Sequence, residues 1–206
     1  MLFLLIRLYY RLKKMQQRIR TFIGIPLPGL EGLVEWQDEL KQKLNGEKVK
    51  WNEKHLWHLT LKFIGDLEPQ KVQSLCFALG NEFSGSSQGQ LIVKGAGIFG
   101  QIRNPKVVWA GIEDSSWLQN IWHQTQAGVI ASLDMERDGK PFRPHLTIGR
   151  VKYLKNTKAL FDEVKAVKEN RWGIVQVRYV VLYKSRLTTN GPIYSEIERF
   201  PLGYGV

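Results

Sequence analysis

The stretch His58-Leu59-Thr60-Leu61 returns later in the chain as His145-Leu146-Thr147-Ile148. Each copy lies in an apolar run that is typical of a β-strand, Trp57–Ile64 for the first and His145–Gly149 for the second. Successive side chains of a strand alternate between its two faces, so His and Thr share one face and the aliphatic residues share the other. We therefore predict two strands that each present an imidazole and a hydroxyl together.

A third His-x-Thr, His123-Gln124-Thr125, serves as an internal control. It lies in the segment 117–133, whose apolar residues are spaced as in a helix. Residues two apart on a helix are separated by about 200° around the axis, so they do not share a face. We expect His123 to be a helix-surface or packing residue, and we give His55, which lies outside any repeat, the same structural interpretation.

The composition predicts a soluble globular chain. The chain has 206 residues, of which 43% are hydrophobic and 24% charged, enough for one large or two small domains. Its single cysteine, Cys76, excludes internal disulfides and any multi-cysteine metal site, in keeping with a reducing, cytoplasmic location. The formal net charge of +11 indicates an anionic partner, with nucleic acid and membrane surfaces as the usual candidates.

The N-terminal residues are basic and open with an apolar run. Met1–Ile6 is far shorter than a membrane span of about 20 residues and lacks the basic start and cleavage site of a signal peptide. Two interpretations are open: a basic amphipathic helix that touches membrane or the protein body, or sequence upstream of a natural start at Met15. We favour the second, which makes 1–14 an extension and 15–206 a single domain.

The remaining patterns alternate between strands and helices. Strands are expected at Arg18–Ile25, Leu91–Val93, Val107–Ile112 and Ile193–Phe200, and helices at 30–44, 69–79, 117–133 and 159–167. The long apolar run Val175–Leu187 is interpreted as one buried strand. Strand–helix–strand therefore occurs roughly twice, with one His-x-Thr strand in each half. This order predicts an α+β fold with mixed or antiparallel sheets.

The chemistry that these motifs suit is acid–base catalysis on a phosphodiester. No His-x-x-x-His, carboxylate cluster, Walker loop or Gly-x-Ser-x-Gly elbow is present in the sequence. Without a metal, such a reaction needs a general base, a general acid and donors to the non-bridging oxygens. His58 and His145 are the candidates for acid and base, because an ordinary pKa near 6.5 suits proton transfer around neutrality. Thr60 and Thr147 are the candidate donors.

Three basic residues near the motifs are further candidates for the phosphate. Lys62 shares the ideal-strand face of His58, although a solvated lysine is an equal alternative. Arg150 falls on the opposite parity from Thr147 and would need a twist or bulge at Gly149. Arg143 precedes His145 in a basic approach that Pro144 biases toward an extended conformation.

Five blocks of the chain match a known family in order. They are Arg20–Pro28, His58–Gly65, Val108–Gly111, Arg143–Arg150, and Leu182–Leu187 with Gly191–Tyr194. With its paired motifs the chain resembles the two-histidine (2H) phosphoesterases, and within them the RNA 2′,3′-cyclic phosphodiesterases, also called 2′-5′ RNA ligase-like proteins. The resemblance implies a bilobal α+β fold of two pseudo-two-fold related lobes, with the catalytic cleft between them.

The resemblance also implies an activity and its residues. It implies hydrolysis of an RNA 2′,3′-cyclic phosphate to a 2′-phosphomonoester, with no metal and no cofactor. His58 would donate a proton to the leaving 3′ oxygen, and His145 would accept one from water. Reversal of the same chemistry would join the cyclic phosphate to a 5′ hydroxyl.

The expected partners are RNA ends that carry a 2′,3′-cyclic phosphate, tRNA fragments among them, or small cyclic nucleotides. We expect a cytoplasmic monomer without a metal or a membrane partner. Two alternatives from other classes are a nucleotide-binding module without turnover and a membrane-associated protein that acts through residues 1–14.

Overall fold

Nine strands form one sheet in the computed structural model, which describes residues 18–189 and 191–203. The strands are β1 (Ile19–Pro26), β2 (Lys48–Trp51), β3 (His58–Leu67), β4 (Gly89–Gln101), β5 (Asn104–Ile112), β6 (His145–Tyr153), β7 (Arg171–Val177), β8 (Tyr179–Thr188) and β9 (Gly191–Pro201). The helices are α1 (Glu31–Lys43), α2 (Pro69–Phe83), α3 (Ser116–Leu133) and α4 (Thr157–Ala166), with a short 3₁₀ turn at Lys54–Leu56.

The strand order divides the sheet into two lobes. The order is β7-β4-β5-β6-β3-β1-β8-β9, and β2 pairs with the outer part of β6. Each pairing between these strands is antiparallel. The two lobes join where β3 meets β6, through the single residue pair Leu59 and Leu146. The predicted α+β fold with two lobes is confirmed.

The helices begin and end where local chemistry favours it. Pro69 occupies the first turn of α2, where its missing N–H costs nothing. The Ser115 hydroxyl accepts a hydrogen bond from the Leu118 N–H and so caps α3. After Leu133, Asp134 adopts a left-handed conformation with φ of 55°, which ends the helix.

The two faces of the sheet have different environments. The main core lies between the sheet and the helices, and fully buried residues such as Leu33, Leu75 and Leu118 belong to it. A smaller cluster of Phe22, Val181 and Tyr183 lies apart from that core. This second cluster adjoins the His58 ring and so supports the surface that lines the candidate site.

The prediction of one strand over Val175–Leu187 is wrong. The run is divided at Arg178 into β7, which pairs with β4 at the sheet edge, and β8, which pairs with β1 and β9 in the other lobe. The Arg178 carbonyl accepts a hydrogen bond from the Leu202 N–H instead of continuing a ladder. The chain passes from one lobe to the other at Arg178, and the apolar pattern, which continues through this point, does not show it.

The predictions for residues 1–14 and for a start at Met15 fall outside the described residues. Among residues 18–189 and 191–203, the helices are all too short or too polar to cross a membrane.

Candidate active site

The two His-x-Thr motifs meet at the junction of the lobes. Leu59 and Leu146, the central residues of the motifs, are directly paired in the antiparallel β3–β6 contact. An antiparallel ladder centred on this pair brings His58 to the side of Thr147, and Thr60 to the side of His145. All four polar side chains line one cleft with a cavity volume of about 460 Å³. The structure therefore brings together the four residues that the repeat singled out.

Both imidazoles are oriented by the same backbone contact. The Nδ1–H of His58 donates to the Leu56 carbonyl at 2.7 Å, and the Nδ1–H of His145 donates to the Arg143 carbonyl at 2.7 Å. A carbonyl only accepts, so this contact assigns the proton of the neutral ring to Nδ1. In each histidine Nε2 is therefore the atom that can take up or release a proton.

Aromatic rings hold each imidazole in place. The His58 ring lies 4.7 Å from the Phe22 ring centroid and 5.3 Å from that of Tyr194, which meets it edge-on. The His145 ring lies 4.9 Å from that of Phe99 and 6.4 Å from that of Trp109. Such walls restrict the ring rotation that would otherwise move Nε2.

The same surroundings lower the pKa of both histidines. Burial is the main cause in each case, because it disfavours the charged imidazolium. The positive charge of Arg150 lowers both pKa values further, and His145 lowers that of His58. The backbone hydrogen bonds at Nδ1 act in the opposite direction. The net result is two rings that are neutral more readily than a free histidine.

The cleft is lined for an anion. Its described lining includes four cationic side chains, Arg20, Lys50, Arg150 and Lys152, and no carboxylate. In the described part of the chain none of the four forms a salt bridge. Uncompensated positive charge in a concave site attracts a phosphate.

Hydroxyl groups complete the lining. The Thr60 and Thr147 hydroxyls have no hydrogen-bond partner among the residues described, so they are available to a bound ligand. Ser185 of β8 and Tyr194 of β9 also face the cleft. Burial raises the pKa of Tyr194, which keeps its phenol protonated and able to donate.

Arg150 reaches the cleft through a bulge. On β6 the register passes from Thr147 opposite Trp109 to Gly149 opposite Val108, so Ile148 is the extra residue. An extra residue shifts every following side chain to the other face of the strand. The expected irregularity is therefore present, one residue earlier than predicted, and Arg150 joins the face of Thr147.

The prediction that Lys62 lines the phosphate site is wrong, because a bulge also shifts its side chain to the other face of its strand. β3 has its own bulge at Leu61, because Gly24 pairs with Thr60 whereas Ile23 pairs with Lys62. Lys62 consequently turns away from the cleft, and its ammonium lies 2.6 Å from Asp138 Oδ1 and 3.2 Å from Gln126 Oε1. Phe63 takes the place in the cleft that ideal alternation assigns to Lys62.

Arg143 contributes to the site through its backbone and not through its side chain, contrary to the prediction that it lines the phosphate site. Its backbone carbonyl orients His145, whereas its exposed side chain lines a second, adjoining cavity and not the cleft itself. The control histidine, His123, lies on α3 outside both linings, as expected.

Two amide side chains that the sequence analysis missed hold the β6 bulge. Gln37 is buried, and its Nε2 donates to the carbonyls of Ile148 and Asn52, each at 3.0 Å. The Asn52 backbone N–H also donates to Ile148, and its Nδ2 donates to the Thr147 carbonyl at 2.9 Å. The available signal in the sequence was Gln37 itself, a polar residue at a position of α1 where the helical spacing predicts an apolar one.

Across the part of the chain that is described, no three His, Cys, Asp or Glu side chains are grouped as metal ligands. Independence from metal remains a prediction for chelation experiments.

Comparisons with known proteins identify the family of this chain. The family model for LigT-like phosphoesterases matches residues 23–109 and 122–194. An RNA 2′,3′-cyclic phosphodiesterase of Methanothermobacter thermautotrophicus is 31% identical over 193 residues, which cover 90% of this chain and 100% of the relative. One of Thermotoga maritima is 30% identical over 179 residues, covering 85% of this chain and 91% of the relative.

Solved structures share the fold. A protein of Thermus thermophilus superposes with a TM-score of 0.70 at 25% identity, covering 90% of this chain and 99% of the other. Escherichia coli LigT in complex with 3′-AMP superposes with a TM-score of 0.68 at 22% identity, with the same coverage of 90% and 99%. The chain therefore belongs to the LigT-like phosphoesterase family of two-histidine enzymes, as its paired motifs predict.

Proposed function

We propose that this enzyme hydrolyses RNA 2′,3′-cyclic phosphate ends to 2′-phosphomonoesters through His58 and His145. The observation that carries the proposal is the pair of imidazoles whose Nδ1 atoms are both held by carbonyls, so that both Nε2 atoms are free in a cation-lined cleft. The relatives that match most of this chain are themselves RNA 2′,3′-cyclic phosphodiesterases, which supports the same substrate class.

The proposed reaction is an in-line displacement at phosphorus. His145 Nε2 takes a proton from water as the water oxygen bonds to phosphorus. The bond between phosphorus and the 3′ oxygen breaks, and His58 Nε2–H gives its proton to that oxygen. The phosphate stays on the 2′ oxygen. His58 ends neutral and His145 protonated, and proton exchange with solvent restores the starting state.

The assignment of roles is supported by access to the two rings. His145 lines both the cleft and the adjoining cavity, whereas His58 lines the cleft alone and is enclosed by Phe22 and Tyr194. A base that activates water needs an open approach for that water. An acid that protonates a leaving oxygen needs only contact with the bound nucleotide.

Three groups are placed to stabilise the charge on the phosphate. The Thr60 and Thr147 hydroxyls flank the imidazoles, and Arg150 follows on the same face of β6. Donors fixed before the reaction stabilise the developing charge on the non-bridging oxygens without reorganising. The same machinery run in reverse would join a cyclic phosphate to a 5′ hydroxyl.

Product analysis on cytidine 2′,3′-cyclic phosphate tests the proposal. We expect cytidine 2′-phosphate as the product, formed at an unchanged rate after exhaustive treatment with EDTA. A 3′-phosphate product, or activity that EDTA abolishes and a divalent metal restores, would contradict the mechanism. Tight nucleotide binding with no turnover would instead identify a binding module.

A further inference from the structure

The cleft carries more positive charge than the reacting group can neutralise. A 2′,3′-cyclic phosphate is a diester with a single negative charge, whereas the described lining of the cleft holds four cationic side chains and no carboxylate. Positive charges held together in a concave site repel each other unless an anion occupies that site. The surplus charge therefore indicates that the cleft takes a second anionic group.

Arg150 belongs to the reacting phosphate. Its charge lowers the pKa of both imidazoles, so it lies near both of them. Arg20 is engaged in a different way, because its guanidinium lies over the Phe63 ring, 4.6 Å from the centroid. The two lysines of the lining, Lys50 and Lys152, are the cations that remain for a second anion.

The two lysines are grouped beside Arg150. Lys50 on β2 is directly opposite Arg150 in the pairing with β6, and Lys152 follows Arg150 by two residues on the same strand. Side chains in these positions are about 5 Å and about 7 Å apart at their bases. Like charges directly opposite each other destabilise a sheet, and among the residues described neither lysine forms a salt bridge. A bound anion would turn this repulsion into attraction.

Lys50 also reaches the other lobe. Gly191 begins β9 after the turn from β8, and a Cβ at Gly191 would lie 3.6 Å from both Cε and Nζ of Lys50. Lys50 is exposed and lines the cleft, so its ammonium lies at the cleft mouth, between β2 and this turn. Lys152 is exposed on the same lining. An anion at this mouth would be in reach of both lysines.

The chemistry of an RNA end identifies this second anion. In a chain, the nucleoside that carries the cyclic phosphate also carries a phosphodiester on its 5′ oxygen, and the ribose alone separates the two groups. A chain bound with its cyclic phosphate at the imidazoles therefore presents its next phosphate within the cleft or at its mouth. A nucleoside 2′,3′-cyclic phosphate has no such group. Lysine binds a phosphate as a point charge, whatever base is attached.

We propose that Lys50 and Lys152 bind the internucleotide phosphate on the 5′ oxygen of the terminal nucleoside. The inference rests on the proposed function and narrows its substrate class, because it makes RNA chain ends better substrates than nucleoside cyclic phosphates. The selection is independent of base sequence, since it depends on the charge of the backbone.

The test compares two dinucleotides that differ only in this charge. Both are adenylyl-adenosine 2′,3′-cyclic phosphates with a 2′-O-methyl group on the first nucleoside, one with a phosphodiester linkage and one with an uncharged methylphosphonate linkage. Steady-state hydrolysis of the terminal cyclic phosphate by the full chain gives kcat/KM for each. We expect a ratio of about tenfold in favour of the charged linkage, because charge-assisted contacts to its phosphate are lost in the methylphosphonate.

Variants of the two lysines assign this ratio to its residues. Lys50→Met and Lys152→Met should each lower the ratio, and the double variant should bring it close to one. Lys50→Arg keeps the charge and should keep most of the ratio. The matched control is Lys48→Met, which removes the same charge from the same strand outside the described lining of the cleft and should leave the ratio unchanged.

Three results would overturn the inference alone. One is hydrolysis of both dinucleotides by the unchanged protein with equal kcat/KM. Another is a ratio that survives in the Lys50→Met/Lys152→Met double variant. The third is an equal decrease of the ratio in Lys48→Met, which would assign the preference to long-range attraction. If neither dinucleotide is hydrolysed, the proposed function fails as well, so the two failures are distinguishable.

Discussion

The two motif strands, β3 and β6, start from nearly the same tetrapeptide and share their local geometry. In both, the histidine Nδ1–H donates to the carbonyl two residues earlier at 2.7 Å, and a bulge falls at the fourth motif residue. As a result, the residue five positions after each histidine, Phe63 on β3 and Arg150 on β6, enters the cleft. The repeat therefore reproduces backbone geometry and the presentation of Nε2.

What differs between the strands lies outside the motif. At the fifth position after the histidine, β3 contributes an aromatic ring to the cleft and β6 contributes a guanidinium. At the fourth position, β3 has the buried Lys62, whereas β6 has Gly149 under the Trp51 ring. His58 is enclosed by rings, whereas His145 opens on a second cavity. Two similar imidazoles thus acquire different access and a shared cation. We expect this asymmetry to give them different roles in the proposed reaction.

The largest effect is expected when either imidazole is removed. His58→Ala and His145→Ala should each lower turnover on a cyclic phosphate by about 10²–10⁴-fold, because each removes one proton-transfer partner. Substrate binding should change less, since the threonines and Arg150 remain. Steady-state kinetics with cytidine 2′,3′-cyclic phosphate measures both effects.

The third His-x-Thr supplies the matched control for these variants. His123→Ala on the exposed face of α3 should retain full activity. Full-rate turnover by the His58→Ala/His145→Ala double variant would end the two-histidine account.

A smaller effect is expected from removing the cation that distinguishes β6. Arg150→Met should lower kcat/KM by about 10–100-fold, because a charge-assisted hydrogen bond to phosphate typically contributes about 1.5–3 kcal/mol. Arg103→Gln, in the exposed turn between β4 and β5, is the control with the same loss of charge. Equal effects of the two substitutions would show that Arg150 acts only through long-range attraction.

Arg150 should also affect the pH dependence of the reaction. Because burial and Arg150 lower the pKa of both histidines, the bell-shaped profile of kcat/KM should be centred below the ordinary histidine value of 6.5. Arg150→Met should move both limbs to higher pH, since it removes one cause of the lowered values. A profile centred above pH 7, or one that Arg150→Met does not move, would contradict this electrostatic account.

Lys62 is expected to affect the stability of the fold more than the catalytic activity. Its side chain is 4% exposed and holds Asp138, which is 47% exposed, in the segment that leads to His145. Lys62→Met should lower the free energy of unfolding, because the ion pair with Asp138 is lost. The loss should be limited to about 1–2 kcal/mol, because the carboxylate left without its partner can be hydrated. Denaturant titration measures this. A Lys62→Met variant with wild-type stability and no activity would restore Lys62 to the phosphate site.

The smallest expected effect is on stability as a function of pH. Histidines whose pKa is lower in the folded than in the unfolded state stabilise the fold above about pH 6.5. That stabilisation is lost as the pH falls through 6.5 toward the folded pKa values. The free energy of unfolding should therefore decrease from pH 7 to 5, and less so in the His58→Ala/His145→Ala double variant. An equally steep decrease in that variant would assign the effect to other groups.

The sequence predicted the parts of the site that depend on strand alternation. The shared face of His58 and Thr60, its repeat on β6, and the helical context of His123 follow from local periodicity alone. The bulges at Leu61 and Ile148 depend on the register of neighbouring strands, which no local pattern records. Ideal alternation of side chains therefore placed Lys62 in the cleft, which is wrong. It placed Arg150 there only on the condition that the strand has a twist or a bulge.

Other features depend on contacts between distant segments. The division of Val175–Leu187 at Arg178 follows from the assignment of β7 and β8 to different lobes. The roles of Gln37 and Asn52 in holding the β6 bulge arise from hydrogen bonds to Ile148, which is 111 residues from Gln37 in the sequence. Such residues are found from packing and not from composition.

The most direct test of the division of roles uses a substrate whose leaving group needs no proton. On a nucleotide nitrophenyl phosphodiester, His58→Ala should retain nearly wild-type turnover, because nitrophenolate leaves unprotonated. His145→Ala should remain impaired, because water must still lose a proton to attack. The opposite ranking would exchange the roles of the two histidines, and equal impairment of both variants would contradict a separate acid and base.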